Sequence, residues 1–275
     1  MQKRTAYFVS DSTGVTAETL GTSLLAHFDQ IEFDTKVLRY VDTLERAEVA
    51  VREINREAER SDYQPIIFET IINAEIRTKL AASKGFMIDV FTSYLAPLEQ
   101  ELQVQSNFTV GRGHSVVQDA AYDSRINAVH YAIDNDDGQH ASTYEKADIV
   151  LVGVSRSGKT PTSIYMALQY GLYVANYPLT EDDLNDMRLP NSLSKHKDKL
   201  FGLNIDGDRL ASIRQERRPD SRYASPAQCD DEIRMAESLF SRFKIPSLDT
   251  THLSIEEIAG RILAISGVTR RRTRD

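Results

Sequence analysis

Apolar runs of strand length recur along the chain, separated by amphipathic segments of helix length. In the first half the runs are TAYFVS (5–10), TKVLRY (35–40), PIIFET (65–70) and GFMIDV (85–90), with helical patterns near 15–28, 43–60, 73–82 and 91–102. This alternation is the signature of βαβ units around a parallel sheet. Periodicity fails from Gln103 to about Asp119, where two glycines interrupt the pattern and a boundary or long connection is expected. A helical stretch over 119–133 and the polar turn DNDDGQH (134–140) then lead into a continuous apolar strand, ADIVLVGV (147–154). Further strands are predicted over 172–179, 199–205 and 245–250, and further helices near 159–170, 207–217, 226–243 and 254–266. The pattern predicts an α/β chain with an N-terminal parallel-sheet domain (1–104), a connecting segment with a helix (105–145) and a second α/β domain (146–275). No internal repeat and no low-complexity tract interrupts it.

The strand over 147–154 runs into Gly153-Val154-Ser155-Arg156-Ser157-Gly158-Lys159-Thr160, which satisfies G-x-x-x-x-G-K-[ST] between a strand and a helix. In such a P-loop, glycines let successive backbone N–H groups curl around phosphate oxygens, and the following helix adds the positive end of its dipole. Lys159 supplies a cation for terminal phosphates, and the Thr160 hydroxyl suits Mg²⁺. Pro161 fits the first helical turn, where its missing N–H costs little. Polyphosphate binding is the strongest statement the residues make.

Other candidates are less specific. A carboxylate for Mg²⁺ is expected at a strand end, with Asp206 first and Asp249, Asp11 and Asp89 behind it; Asp206 is equally a helix N-cap. The Asp136-Asp137 pair before Gly138 reads either as a base or metal ligand or as an exposed turn. Arg214, Arg217, Arg218 and Arg222 gather near a helix end, which suits both the helix dipole and a phosphate clamp. Near the start, Ser10-Asp11-Ser12-Thr13-Gly14 reads either as a capped strand-to-helix turn or as a second anion loop.

A net charge of −8 argues against a protein that works by neutralising nucleic-acid phosphates. The charge is uneven: residues 1–150 carry 14 Lys+Arg against 24 Asp+Glu, whereas 151–275 carry 19 against 17. Cations for an anionic substrate are therefore expected from the second half. The single cysteine, Cys229, excludes an internal disulfide and reads as a small side chain on a helix, and the histidines show no metal-ligand spacing. No long apolar run suggests a membrane span, and a soluble, cytoplasmic protein is expected. The tail Arg270–Asp275 is a small basic cluster expected to be solvated.

Six colinear blocks carry a more specific signal: VSDSTGVTAE, YDSRINAVHYAIDNDDG (122–138), GVSRSGKTPTSIYMA (153–167), ANYPL (175–179), KLFGLNID (199–206) and ERRPDSRYAS (216–225). Together they resemble the bacterial phosphoenolpyruvate synthase regulatory proteins of the kinase-pyrophosphorylase family, which includes the pyruvate, phosphate dikinase regulatory proteins. The resemblance implies an N-terminal parallel-sheet α/β domain followed by a P-loop-containing α/β kinase-like domain. It also implies a bifunctional enzyme acting on a threonine of phosphoenolpyruvate synthase. One direction moves the β-phosphate of ADP to the threonine and inactivates the target; in the other, inorganic phosphate removes it and releases pyrophosphate. On that reading Gly153 to Thr160 bind ADP, with Lys159 stabilising the migrating group. Asp11, Asp137 or Asp206 serves as the base, and Thr160 with Asp206 holds Mg²⁺. Ser12, Thr13, Gly14, Arg217, Arg218 and Arg222 are candidates for holding phosphate or phosphothreonine, and a homodimer is expected. An ATP-dependent small-molecule kinase and a non-catalytic nucleotide-sensing adaptor are the competing readings of the P-loop.

Overall fold

A computed structural model describes residues 2–106 and 119–269. The basic tail, 270–275, and most of the aperiodic stretch after Gln103 lie outside the described residues. The chain divides into two compact units, Met1–Ser115 and Val116–Asp275.

The first unit runs β1 (Gln2–Val9), α1 (Val15–Leu25), β2 (Ile31–Leu38), α2 (Leu44–Arg60), β3 (Ile66–Glu69), α3 (Ala74–Ala81), β4 (Phe86–Asp89) and α4 (Val90–Leu102). All strands are parallel, in the order β2-β1-β3-β4. Alternation along β1 decides which helix covers which face. Ala6 and Phe8 pack with Phe68, Ala17 and Leu25 on the α1 side, while Tyr7 and Val9 pack with Ala47, Ile54 and Ile76 under α2 and α3. The second strand begins four residues earlier than its apolar pattern suggests. The stretch Ile31–Asp34, in which Ile31 and Phe33 alternate with two carboxylates and Phe33 packs on the α1-side core, completes an eight-residue register from Gln2↔Ile31 to Val9↔Leu38.

Gly21, on α1, shows how tightly that layer closes: an added Cβ would sit 2.3 Å from Phe8 Cε1 and 3.0 Å from Phe68 Cδ2. Gly21→Ala is expected to destabilise the fold by about 1–3 kcal/mol through overpacking, read as a lower urea midpoint at unchanged slope.

The second unit runs α5 (Asp119–Asp134), β5 (Ile149–Gly153), α6 (Lys159–Tyr170), β6 (Val174–Pro178), two short helices α7 (Glu181–Asp186) and α8 (Asn191–Ser194), β7 (Leu200–Asn204), α9 (Gly207–Arg217), α10 (Pro226–Phe243), β8 (Ser247–Asp249) and α11 (Ile255–Ser266). Its sheet is again fully parallel, in the order β6-β5-β7-β8. Ile149, Leu151, Phe201 and Leu203 pack under α6 and α11 with Met166, Ile258 and Ile262. Val150, Val152 and Leu200 face Leu210, Leu239 and Phe240 of α9 and α10. The stretch read from sequence as a connection supplies this unit with α5, whose Ala128 and Ala132 are buried against Ala167 of α6. Both units therefore repeat one strand order, with the first strand central and the chain switching sides after the second. That arrangement opens a crevice at the carboxyl ends of the central strands, where α/β proteins place ligands. Among the described residues no helix is long and apolar enough to cross a membrane.

Candidate functional site

At the carboxyl end of β5 the chain leaves Gly153 and turns through Val154–Gly158 into α6. Gly153 is required there, since a Cβ would stand 2.5 Å from the Leu203 carbonyl and 2.7 Å from Ser157 Oγ. Gly158 begins the helix at φ 88°, a conformation that favours glycine, and leaves α6 without a side-chain cap. Arg156 is held at φ 76°, at a steric cost for a side chain with a Cβ. Ser157 is buried and its hydroxyl has no partner among the described residues.

Lys159 is only 4% exposed, and its Nζ donates to the Val154 carbonyl at 2.8 Å. Burial pushes this ammonium down to about 8, against the opposing pull of the Asp137 and Asp136 carboxylates. A cation kept inside without a direct carboxylate partner is costly, and an arriving anion would relieve that cost. The residue opens onto a cavity of about 470 Å³, whose wall includes Asp137, Arg156, Thr160, Arg217, Arg218 and Tyr223.

The turn at Asp136–Gly138 is held in place from the sheet. Asn176, fully buried on β6, donates Nδ2–H to Asp136 Oδ1 (2.5 Å) and accepts the Asp137 backbone N–H on Oδ1 (3.0 Å). The Thr160 hydroxyl donates to the same Asp136 oxygen at 2.7 Å. Asp137 adopts φ 49°, which Asp tolerates better than most residues. The carboxylate beside Thr160 is thus Asp136. Asp206 caps α9 by accepting the Arg209 N–H at 3.0 Å, the alternative the sequence left open. The pairing of Asp136 with Thr160 spans 24 positions, so only a buried polar Asn on a strand hinted at it.

The four arginines separate into different roles. Arg217 and Arg218 line the cavity. Arg222 is exposed and engaged by Glu181 at 2.6 Å. Arg214 is fully buried: it pairs with Glu232 at 2.6 Å, donates to the Ser155 and Tyr223 carbonyls, and lies 4.1 Å from the Tyr223 ring centroid. Tyr223 in turn hydrogen-bonds Ser155 Oγ at 2.9 Å, so Arg214 braces the cavity wall and is no phosphate clamp. Cys229 is buried beside it, and desolvation raises its thiol above the usual range.

In the first unit, Asp11 Oδ2 accepts the Ile72 N–H at 2.9 Å while Glu69 Oε2 accepts that of Ile71 at 2.7 Å. Glu69, which the sequence did not single out, is fully buried at the end of β3, and burial pushes it up to about 7. Ser12 donates its N–H to Ser10 Oγ, the Thr13 carbonyl accepts from Arg39, and Gly14 opens α1 at φ 81° with no side-chain cap. Its loop thus ends on the same left-handed glycine as the loop before Lys159. Asp89 caps α4 and pairs with Arg77 at 3.2 Å, and Asp249 accepts from Thr251.

A buried cation, further arginines and adjacent carboxylates in one cavity make an arrangement able to bind phosphates and accept a proton. A family model described as Kinase/pyrophosphorylase matches residues 6–263. Similar chains from Pseudomonas savastanoi pv. phaseolicola (55% identical) and Stutzerimonas stutzeri (56%), each covering 98% of this chain and 99% of the relative, are named as phosphoenolpyruvate synthase regulatory proteins. A chain from Pseudomonas putida strain W619 with that name is 56% identical over the same share. This protein belongs to the kinase/pyrophosphorylase family.

Proposed function

We propose that the protein is an ADP-dependent protein kinase and phosphate-dependent pyrophosphorylase that acts on a threonine of phosphoenolpyruvate synthase. The observation that carries this reading is the buried Lys159 at the mouth of an arginine-lined cavity, behind a loop that Gly153 and Gly158 let turn tightly into α6. Gly153 to Thr160 form the P-loop that holds the diphosphate of ADP through backbone N–H groups, and Lys159 draws charge toward the migrating β-phosphoryl group. Asp137 accepts the proton of the threonine hydroxyl as its oxygen bonds to the β-phosphorus and the bond to AMP breaks. In the reverse sense a phosphate oxygen bonds to the phosphorus of phosphothreonine, the threonine oxygen leaves and regains a proton from Asp137, and pyrophosphate departs. Arg217 and Arg218 hold the phosphothreonine or the incoming phosphate. Asp11 and the loop Ser12–Gly14 lie in the first unit, and this proposal assigns them no step.

Thr160 and Asp136 present hard oxygen donors side by side, and Asp137 lines the same cavity, so these residues fit Mg²⁺ better than Thr160 with Asp206 does. When bound there, the ion would neutralise charge on the phosphate oxygens.

Mass spectrometry of phosphoenolpyruvate synthase incubated with this protein and ADP, and then with phosphate, tests the reading. One threonine phosphate should appear and then disappear with release of pyrophosphate; transfer from ATP alone, to a metabolite, would sink it. The role of Asn176 is checked separately: Asn176→Ala frees Asp136 and the Asp137 amide from their clamp. Its turnover is expected to fall about 10–100-fold, as for lost supporting contacts elsewhere, while KM for ADP changes little because the loop amides are untouched.

A further inference from the structure

The first unit holds a second cavity, of about 360 Å³, that the chemistry above does not use. Its floor is Tyr7 of β1 and Lys36 of β2, and its wall is one face of α2 carrying Arg52, Arg56 and Arg60 at successive turns. Tyr7 is fully buried, and its hydroxyl interacts with the Lys36 ammonium beside it on the cavity floor. Burial raises the Tyr7 phenol above its usual range, so the group keeps its proton.

The charges around it are unbalanced in a half of the chain that is otherwise strongly acidic. Lys36 is spent on Glu57 at 3.0 Å, and Glu57 also accepts from Thr5 Oγ1 at 2.9 Å. Arg52 approaches Glu48 only at 3.9 Å, whereas Arg56 and Arg60 form no ion pair among the described residues. Glu53 is the one other carboxylate on the lining, so four cations face two carboxylates. The guanidinium forks of Arg56 and Arg60 on this lining match an anion with several acceptor oxygens.

We propose that this cavity is a second anion site, separate from the loop at Lys159, that takes a small phosphate-class oxyanion, either inorganic phosphate or the phosphate monoester of a small organic molecule. The proposal does not depend on the reaction assigned to the second unit.

The test uses the full chain carrying Lys159→Ala, so that anion binding at the second unit's loop is weakened, with carbon-13 at the tyrosine Cζ positions and the Tyr7 resonance assigned through Tyr7→Phe. Inorganic phosphate and glycerol 3-phosphate are titrated separately at constant ionic strength, since exposed arginines bind any anion weakly at low salt. The Tyr7 signal should move saturably, and an Arg56→Gln/Arg60→Gln variant should bind about tenfold more weakly. Tighter binding of glycerol 3-phosphate identifies an ester ligand, and equal binding identifies free phosphate. A Tyr7 signal that moves with neither probe, or an affinity unchanged in the double variant, overturns the proposal; both arginines are exposed, so their loss leaves the fold intact.

Discussion

On the proposed reading, Lys159→Ala is expected to reduce phosphoryl transfer about 10³-fold in both directions, because it removes a buried cation that would face the phosphates. Loss of fold is not the reason. Among the described residues Lys159 makes a single side-chain hydrogen bond, to the Val154 carbonyl, and a buried charge without a direct carboxylate partner costs more than it returns. The variant should therefore unfold at the same or higher denaturant concentration while losing transfer, measured as phosphothreonine formed per unit time. Equal loss in the two directions would place both at this cavity; retention of one direction would require a second active site.

The same residue predicts a pH dependence. Lysine in an unfolded chain titrates near about 10.4, and burial brings Lys159 down to about 8. The fold thus disfavours the charged form, and this cost is complete below about pH 8 and relieved between about 8 and 10.4. Across that window this group makes the unliganded protein more stable as pH rises, a contribution that Lys159→Ala should remove. On the proposed reading, affinity for ADP runs the opposite way: it should fall by up to tenfold per pH unit above about 8 as the ammonium loses its proton. Calorimetric titrations at several pH values, on wild type and variant, separate this group from any other.

Arg214→Ala should be the most destabilising of the arginine substitutions, by about 3–5 kcal/mol, because it leaves Glu232 as an unpaired carboxylate at a largely buried position. It also withdraws the support under Tyr223 and the Ser155 carbonyl, so the cavity wall loosens and transfer falls with stability. The double variant Arg214→Ala/Glu232→Ala should lose markedly less than the two single losses combined, since removing both charges leaves neither stranded. Chemical denaturation of the four proteins closes the cycle. Arg222→Ala is the control: its pair with Glu181 is exposed, and the change should cost under about 1 kcal/mol.

Local pattern carried much of this fold. Strands with period-two or continuous apolar runs, and helices with clear caps such as Thr43, Asn73, Ser225 and Ser254, lie where the sequence places them. The loop at Gly153–Thr160 was legible because its glycines and lysine are consecutive and answer to one local geometry. The edge strand β2 was placed four residues late because the period-two alternation of Ile31 and Phe33 with Glu32 and Asp34 is a weaker signal than the apolar run that follows. The short helices α7 and α8 escaped notice because neither is long enough to show a period.

Contacts between distant residues lay beyond that reading. A run of four arginines looks uniform in sequence, but α9 and the turn after it send Arg214 inward, Arg217 and Arg218 to the cavity and Arg222 to solvent. Sequence alone ranks Asp206 first among the carboxylates; the tertiary contacts favour Asp136, because β6 brings Asn176 under its turn and α6 brings Thr160 beside it. Nor does any sequence repeat announce that the two units share one strand order. By itself the sequence determined the α/β rhythm, the glycine-lysine loop and the family resemblance, since each depends on neighbouring residues or on order along the chain. The tertiary structure decided which carboxylate and which arginines stand at that loop and how deeply Lys159 is buried, because packing across the sheet sets those distances.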